Sequence, residues 1–234
     1  MKHDAESNPL RGHHEMERIL SDRDRDRLDR FIAEAEKRTR TQIVFAVIKR
    51  SDAYAELPWK AFALGASVSG LAVLITDSLF TDWSSRMTTL IAVAATLAGG
   101  AAFALMAVLA PGIAKRFLSA HRAETEVRQY AESLFLGREL FATAGRTGIL
   151  LLVSLFERQV VLLPDRGLIN RLTGNAMRDT IAAMTPLLKR NEINRALEAG
   201  LERLTQVLEP SSASRTEATG KNELSDEIIE EKGL

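Results

Sequence analysis

The pattern of apolar and polar positions is most informative in the segment Arg146–Gly167. Two apolar runs, Ile149–Val153 and Val160–Leu163, are rich in branched side chains and too short for helices, so they predict buried strands. The connection between them is short enough to allow only an antiparallel hairpin. Because both strands are apolar on both faces, the hairpin needs cover on two sides, and we expect Leu151 and Val161 to be fully buried at the centre of the sheet.

Outside this segment, the charge-rich parts of the chain contain one more apolar run, and several stretches in them show helical periodicity. Gln42–Ile48 predicts a third strand, which a helix connects to the hairpin and which therefore pairs parallel with its first strand. Ser21 followed by an acid at position 24 predicts a helix N-cap. Further helical stripes occupy residues 122–136, 177–188 and 193–208. The predicted fold class is α/β, with a small mixed sheet.

Two long apolar stretches lie between the third strand and the hairpin. Ala61–Thr76 and Thr89–Ala110 contain no charged residue, and a helix needs about 20 apolar residues to cross a bilayer. Trp59 and Trp83 lie where interfacial aromatic residues are expected. Two buried helices of a soluble core are the alternative, but no other part of the chain has enough apolar surface to surround them. Small residues recur at a spacing that allows close helix contact: Ala66 and Gly70, Ala95 and Gly99, and Gly100 and Ala104.

Basic residues flank the apolar pair on its outer sides: Lys49, Arg50 and Lys60 before it, and Lys115, Arg116 and Arg122 after it. The connection between the two stretches has only Arg86 as a basic residue, together with Asp77 and Asp82. By the positive-inside rule, both termini and the folded domain are expected in the cytoplasm and the connection outside.

Composition narrows the function further. The chain has 31 basic and 31 acidic residues, so its charge gives no argument for nucleic-acid binding. The absence of cysteine excludes disulfides, thiolate metal sites and a cysteine nucleophile. Residues 1–20 are polar, lack the apolar core of a secretory signal and are expected to be flexible. The acidic tail, residues 210–234, lacks apolar surface and is expected to be disordered.

Four segments together resemble the TPM domain family. They are RTGILLLVSLFERQVVLLPDRG in 146–167, EAEKRTRTQIVFAVIKRSDAY in 34–54, MTPLLKRNEINRALEAGLERL in 184–204, and the helix 122–136. The resemblance implies a compact sandwich with a small mixed sheet, into whose first strand–helix–strand crossover a transmembrane helical hairpin is inserted. It divides the chain into domain parts 21–56 and 115–209 around the insertion 57–114. The bacterial integral-membrane branch of the family is the most similar, which implies the bacterial inner membrane.

The resemblance also implies two classes of function. Some family members are reported as acid phosphatases or bind calcium, and others act as accessory proteins in membrane complexes. Metal-assisted hydrolysis needs several hard oxygen ligands around one ion. The candidate catalytic residues are Asp52, Glu157 and Asp165, with Asp179 as a further carboxylate. Asp52 and Glu157 follow parallel strands, whereas Asp165 is expected at the other end of the sheet, about 16 Å away at 3.3 Å per residue.

We therefore expect a non-enzymatic interaction module anchored to the bilayer, which assists the assembly, maintenance or regulation of a membrane protein complex; a metal-assisted phosphatase is the alternative. No metal, cofactor or nucleic acid is expected. The partner-binding residues would be Asp165, Arg166 and Gly167, although the same residues also fit a plain turn with a left-handed glycine. Leu155 and Phe156 are expected at the membrane interface, or else folded back onto a helix of the domain.

Overall fold

The computed structural model describes residues 20–79, 86–209 and 228–233. The chain forms two compact units. The sheet unit comprises residues up to 48, 131–153 and 160–231, and the helical unit comprises residues 49–130, 154–159 and 232–234. The helical unit thus includes more of the chain than the predicted insertion 57–114. Trp83 and residues 1–19 and 210–227 lie outside the described residues, so the predictions made for them stay predictions.

The described residues form seven α-helices and four strands. In chain order they are α1 (Asp22–Thr39), β1 (Gln42–Arg50), α2 (Glu56–Leu79), α3 (Arg86–Leu109), α4 (Pro111–Ala114), α5 (Ala120–Gly137), β2 (Gly148–Ser154), β3 (Gln159–Pro164), α6 (Gly174–Lys189), α7 (Ile193–Leu208) and β4 (Ile229–Gly233). Short 3₁₀ helices occupy Lys115–Phe117 and Arg166–Leu168.

The four strands form one mixed sheet in the order β3-β2-β1-β4. At the start of the central pair, the N–H of Gln42 donates to the carbonyl of Thr147 at 3.2 Å. At its end, the N–H of Phe156 donates to the carbonyl of Lys49 at 2.9 Å. Because start pairs with start and end with end, β1 and β2 are parallel. The four-residue turn 155–158 makes β3 antiparallel to β2, and the predicted mixed sheet is confirmed.

The core of the sheet unit is built on β1 and β2. Every residue of β2 is buried, and Leu151 has no exposed surface, as the sequence predicts. The prediction for Val161 is wrong, because this residue is only half-buried. β3 is an edge strand with a neighbour on one side only, so its side chains have less cover than those of β2. Leu162 is the buried residue of β3.

Helix termini and small residues fix the helices of the sheet unit. The side chain of Ser21 accepts a hydrogen bond from the N–H of Asp24 at 3.3 Å, which confirms the predicted N-cap of α1. α7 contacts both α1 and α6. A Cβ atom at Gly200 of α7 would lie 2.7 Å from the Met184 sulfur of α6, so the glycine permits this close approach.

The prediction of disorder is wrong for the end of the tail. Ile229–Gly233 forms β4, which pairs with the edge of β1. Ile228 is 2% exposed, and the Arg25 guanidinium forms an ion pair with Glu230 at 2.6 Å. The two isoleucines supply the apolar surface that the rest of the tail lacks, and the open edge of β1 supplies the hydrogen-bonding partners.

α2 and α3 dominate the helical unit. Each has 24 residues and spans about 36 Å at 1.5 Å per residue, against a bilayer core of about 30 Å. Both are long and apolar enough to cross a membrane, and only a small share of either helix is buried within the protein. The large apolar side chains that point outward include Leu64, Leu71, Leu74, Leu90, Ile91, Leu97 and Leu105.

Glycines bring α2 and α3 into contact. A Cβ atom at Gly65 would lie 2.7 Å from the backbone carbonyl of Gly99, and one at Gly100 would lie 2.8 Å from the Phe62 ring. Gly99 and Gly100 belong to the predicted pattern of small residues. The tightest contact is at Gly99, where a Cβ atom would overlap the Ser69 side chain of α2. Gly65 was missed by that pattern, and Gly70 has only ordinary contacts.

We predict that Leu151→Ala lowers the free energy of unfolding by about 2–5 kcal/mol, because it leaves a cavity at a fully buried position. Leu136→Ala is the matched control, since Leu136 is 63% exposed and should tolerate truncation. Thermal or denaturant unfolding in detergent checks both variants. Equal stability of the Leu151→Ala variant and the parent would contradict the placement of β2 in the core.

Candidate functional site

The turn between β2 and β3 is held by a buried carboxylate. Glu157 accepts hydrogen bonds from the Ser51 N–H at 2.9 Å and from the Ser51 hydroxyl at 2.7 Å. It also accepts a bond from the hydroxyl of Ser154 at the end of β2. Three donors thus surround a carboxylate that is only 9% exposed, which satisfies its charge without a cation. The position of Glu157 just after the parallel pair agrees with the prediction, but its role in the structure is to tie the turn to the end of β1.

Tyr54 extends this network. Its side chain is 1% exposed, and its hydroxyl oxygen lies 3.2 Å from the Ser51 hydroxyl oxygen. Burial raises the pKa of the Tyr54 phenol well above its ordinary value, and the neighbouring Glu157 raises it further, although the Ser51 hydroxyl opposes the shift. The phenol is therefore held in its neutral, proton-donating form.

Phe156 joins the turn to the base of the apolar helices. It packs together with five other apolar or aromatic residues, and we term the group the tip cluster: Tyr54, Leu57, Ala114, Phe117, Leu118 and Phe156. The ring centroids of Tyr54 and Phe156 lie 5.7 Å apart. Leu155 and Phe156 are both half-buried. Because Leu57 lies in the first turn of α2 and Ala114 ends α4, the turn lies at the end of the helical unit where both long helices meet the rest of that unit.

Two cations face the ring of Phe156. The Arg50 Cζ atom lies 5.9 Å from the ring centroid and the Lys115 Nζ atom lies 5.3 Å from it, both within cation–π range. The Lys115 ammonium also donates to the carbonyl of Leu155 at 3.4 Å. Burial lowers the pKa of Lys115, and the positive charge of Arg158 lowers it further, against an opposing effect of Glu157.

Asp52 lies in a separate ion-pair cluster. The Arg122 guanidinium lies 3.4 Å from the Asp52 carboxylate and 3.1 Å from those of both Glu56 and Glu126. Asp52 also accepts a hydrogen bond from the N–H of Ala53 at 2.7 Å. These carboxylates raise the pKa of Arg122, with the charge of Glu56 as the largest cause. The sequence predicted a basic flank at Arg122 but did not reveal that three acids would surround it.

Asp165 is a buried structural residue of the turn after β3. Its side chain is 4% exposed, and one carboxylate oxygen accepts a hydrogen bond from the Arg166 N–H at 2.7 Å. The other oxygen lies 2.9 Å from Nε of Arg146. The N–H of Asp165 donates to the carbonyl of Gly148, the first residue of β2. Asp165 therefore caps the 3₁₀ helix Arg166–Leu168 and holds the loop before β2, while Arg166 and Gly167 are exposed.

The glycine of this turn has a different role from the predicted one. Gly167 does not adopt a left-handed conformation. A Cβ atom there would lie 2.3 Å from the carbonyl oxygen of Gly145 and 2.6 Å from that of Arg146, so close backbone contact requires the glycine. Sequence reasoning also missed Ile169, whose side chain is 58% exposed beside the turn. Ile169 lies between Leu168 and Leu172, which are both buried, so the sequence did not distinguish its exposed side chain from theirs.

The structure does not bring the candidate carboxylates together. Glu157 is bound by serines, Asp52 by Arg122 and Asp165 by Arg146, and Asp179 pairs with Arg203 at 3.6 Å. Within residues 20–79, 86–209 and 228–233, no three His, Asp or Glu side chains are grouped so that they could hold a metal ion.

Of the predicted interfacial tryptophans, Trp59 is 72% exposed and packs edge-to-face on Phe62, with 6.1 Å between ring centroids.

Comparison with known proteins identifies part of the chain. Residues 114–207 match a family model described as the TPM domain. The fold is similar to the NMR structure of the BA42 protein from the psychrophilic bacterium Bizionia argentinensis, with a TM-score of 0.52 and 14% sequence identity. That likeness covers 92% of this chain and 97% of BA42, and it shows the fold. No curated protein matches the chain. The resemblance inferred from the sequence is confirmed, while its membrane branch stays a prediction.

We predict that stability falls at alkaline pH in a manner that depends on Tyr54. The unfolded phenol ionises near its ordinary pKa of about 10, whereas the folded phenol keeps its proton because burial raises its pKa. The contribution of Tyr54 is thus fully present below about pH 10 and is lost as the pH rises further. Unfolding measured between pH 8 and pH 11 should lose stability less steeply in Tyr54→Phe than in the parent. Tyr130→Phe, the change at the only other tyrosine, should leave the slope as it is; an unchanged slope in Tyr54→Phe would contradict the assignment.

Proposed function

We propose that this protein is a membrane-anchored interaction module. The proposal is supported by the match of residues 114–207 to the TPM domain model and by two helices long and apolar enough to span a membrane. The module assists the assembly, maintenance or regulation of a membrane protein complex, with its TPM domain in the bacterial cytoplasm. The observation that supports the proposal most is that one chain combines two exposed surfaces. The apolar surface of α2 and α3 suits a membrane, and the turn after β3 is free to contact a partner.

The anchoring part of the proposal rests on surface chemistry. Leu71, Leu74 and Leu109 are 58–73% exposed, and further apolar side chains around both long helices are exposed as well. A continuous apolar surface of this extent is unfavourable in water, whereas lipid chains would cover it. Both helices also satisfy their backbone hydrogen bonds internally, as spanning segments must.

The orientation rests on the basic flanks. Arg50 and Lys60 lie before or at the start of α2, and Lys115 and Arg116 follow α4. The start of α2 and the end of α3 both line one groove of the helical unit, so the two helices form an antiparallel pair with its basic residues at one end. Such a bias favours a cytoplasmic position for that end. Leu155 and Phe156, which belong to the same end, would lie at the membrane interface together with Trp59.

The partner surface is proposed at the turn after β3. Arg166 and Gly167 are exposed, and Ile169 adds an exposed branched apolar side chain two residues later. Asp165 does not belong to the exposed surface, because its carboxylate is buried and bound to Arg146. It holds the turn in place by accepting a hydrogen bond from the Arg166 N–H. A guanidinium beside an apolar side chain on a rigid turn suits a protein surface that offers a carboxylate and an apolar pocket.

The phosphatase alternative has less support. It needs several oxygen ligands around one ion, and the candidate carboxylates of the described residues are each bound to different partners. The interaction module requires no such convergence, so the geometry favours it.

We predict that reporter fusions at Ser119 and after Pro210 give a cytoplasmic signal and that a fusion at Asp82 gives an external one. The physical reason is the excess of basic residues on the outer flanks of the pair. Paired phosphatase and fluorescent-protein reporters measure the two sides of the membrane independently. An external signal from the fusion after Pro210 would overturn the cytoplasmic placement of the domain.

We predict that Arg166→Glu releases the partner complex without unfolding the domain. The exposed side chain carries the contact, while the turn is held through the Arg166 backbone N–H, which the substitution keeps. Affinity purification of the full chain from detergent-solubilised membranes, quantified by mass spectrometry, should recover a specific set of membrane proteins that the variant loses. Arg23→Glu is the matched control, because it makes the same charge change at an exposed position in the first turn of α1. Equal recovery with Arg166→Glu and the parent would contradict the assigned surface.

A further inference from the structure

A groove at the base of the two long helices combines positive charge with an apolar wall. Its volume is about 950 Å³, and it lies entirely within the helical unit. Its charged lining residues are Lys49, Arg50 and Lys115, and no acidic side chain of the described part of the chain lines it. The carboxylates adjacent in sequence have partners of their own: Asp52 and Glu56 pair with Arg122, and Glu157 accepts its hydrogen bonds from serines while its charge also acts on Lys115.

The apolar wall comes from the ends of the long helices. Ala107 and Val108 of α3 and Leu57 and Pro58 of α2 line the groove. Val108 is 62% exposed, so the wall continues from the groove onto the outer surface of α3. A ligand that filled the groove would therefore meet three cations at one part of its surface and an open apolar track at another.

We propose that this groove binds an anionic phospholipid, whose phosphate headgroup lies between Arg50, Lys115 and Lys49 and whose acyl chains follow the end of α3. This inference rests on the membrane anchoring proposed above and deepens it, because it assigns a specific lipid site to the anchor.

The positive charge of the groove complements an anionic headgroup, and its apolar wall complements acyl chains. Arg50 and Lys115 both face the Phe156 ring, so one aromatic side chain holds two like charges near each other. Burial lowers the pKa of the Lys115 ammonium, and a further cation, Arg158, lowers it more, against an opposing effect of Glu157. An anionic headgroup relieves the repulsion among these groups and stabilises the charged ammonium. A free phosphate ion would use the cations but would leave the apolar wall without a partner.

The experiment counts the lipids that stay bound to the full chain. The protein is reconstituted in vesicles of phosphatidylcholine mixed with phosphatidylglycerol, released, and analysed by native mass spectrometry. The test variant is the double substitution Arg50→Gln and Lys115→Gln. The matched control is Lys60→Gln with Arg116→Gln, which removes two positive charges from the same end of the helices at exposed positions that do not line the groove.

We expect the parent and the control to retain phosphatidylglycerol in preference to phosphatidylcholine. The test variant should bind it more weakly by about fivefold for each charge removed, which corresponds to about 1 kcal/mol per basic side chain near an anionic surface. Far-UV circular dichroism and the melting temperature establish that each variant is folded.

Three outcomes overturn the lipid site. Equal loss in test variant and control means that the basic end attracts anionic lipid without a built groove. Equal retention of the two lipids by the parent means that the groove has no headgroup preference. Displacement of phosphatidylglycerol by inorganic phosphate means that the site serves a free anion. Extraction of the parent from membranes by alkaline carbonate would instead overturn the membrane anchoring, and with it the lipid site, so the two failures are distinguishable.

Discussion

The candidate site depends on the hydrogen bonds that the buried carboxylate of Glu157 accepts from two serines. The carboxylate joins Ser51, one residue after β1, to Ser154, the last residue of β2, and so fixes the turn that follows the parallel pair. With the turn fixed, Phe156 reaches the tip cluster and lies near Arg50 and Lys115. A carboxylate in this position satisfies three donors at once, whereas an apolar side chain would leave the N–H of Ser51 without an acceptor at a buried position. The geometry of the groove therefore originates from an acid that does not line it.

The fold was predictable where local pattern and tertiary environment agree. Branched apolar runs identified β1, β2 and β3 because buried strands need such side chains, and Ser21 identified the start of α1 because its hydroxyl satisfies a helix N–H. Val161 was placed wrongly because the sequence of a strand does not say whether it has one neighbour or two. β4 was missed because Ile228 and Ile229 form too short an apolar run to be distinguished from the polar tail around them.

The site was less predictable than the fold, because it depends on contacts between residues distant in sequence. The residues of the hairpin turn were recognised, but nothing in the sequence near Glu157 indicates that Ser51 would become its donor. Likewise, Gly65 and Gly167 are needed because other backbone atoms approach them, and such approaches leave no local signal. The strand topology predicted that Asp165 lies away from Asp52 and Glu157. The residues that bind the four candidate carboxylates, Ser51, Arg122, Arg146 and Arg203, could not be predicted from the sequence.

The strand order has a consequence for the timing of biosynthesis. β1 is the first strand to leave the ribosome, yet both of its neighbours, β2 and β4, are encoded after the two long apolar helices. The nascent chain must therefore carry β1 with both edges open while α2 and α3 are synthesised, and a chain synthesised from its N-terminus cannot bury such a strand early. An unpaired strand of this apolar composition is a site for incorrect association. β1 therefore has no sheet partner until β2, and last β4, has been synthesised, and the interval includes the synthesis of both apolar helices.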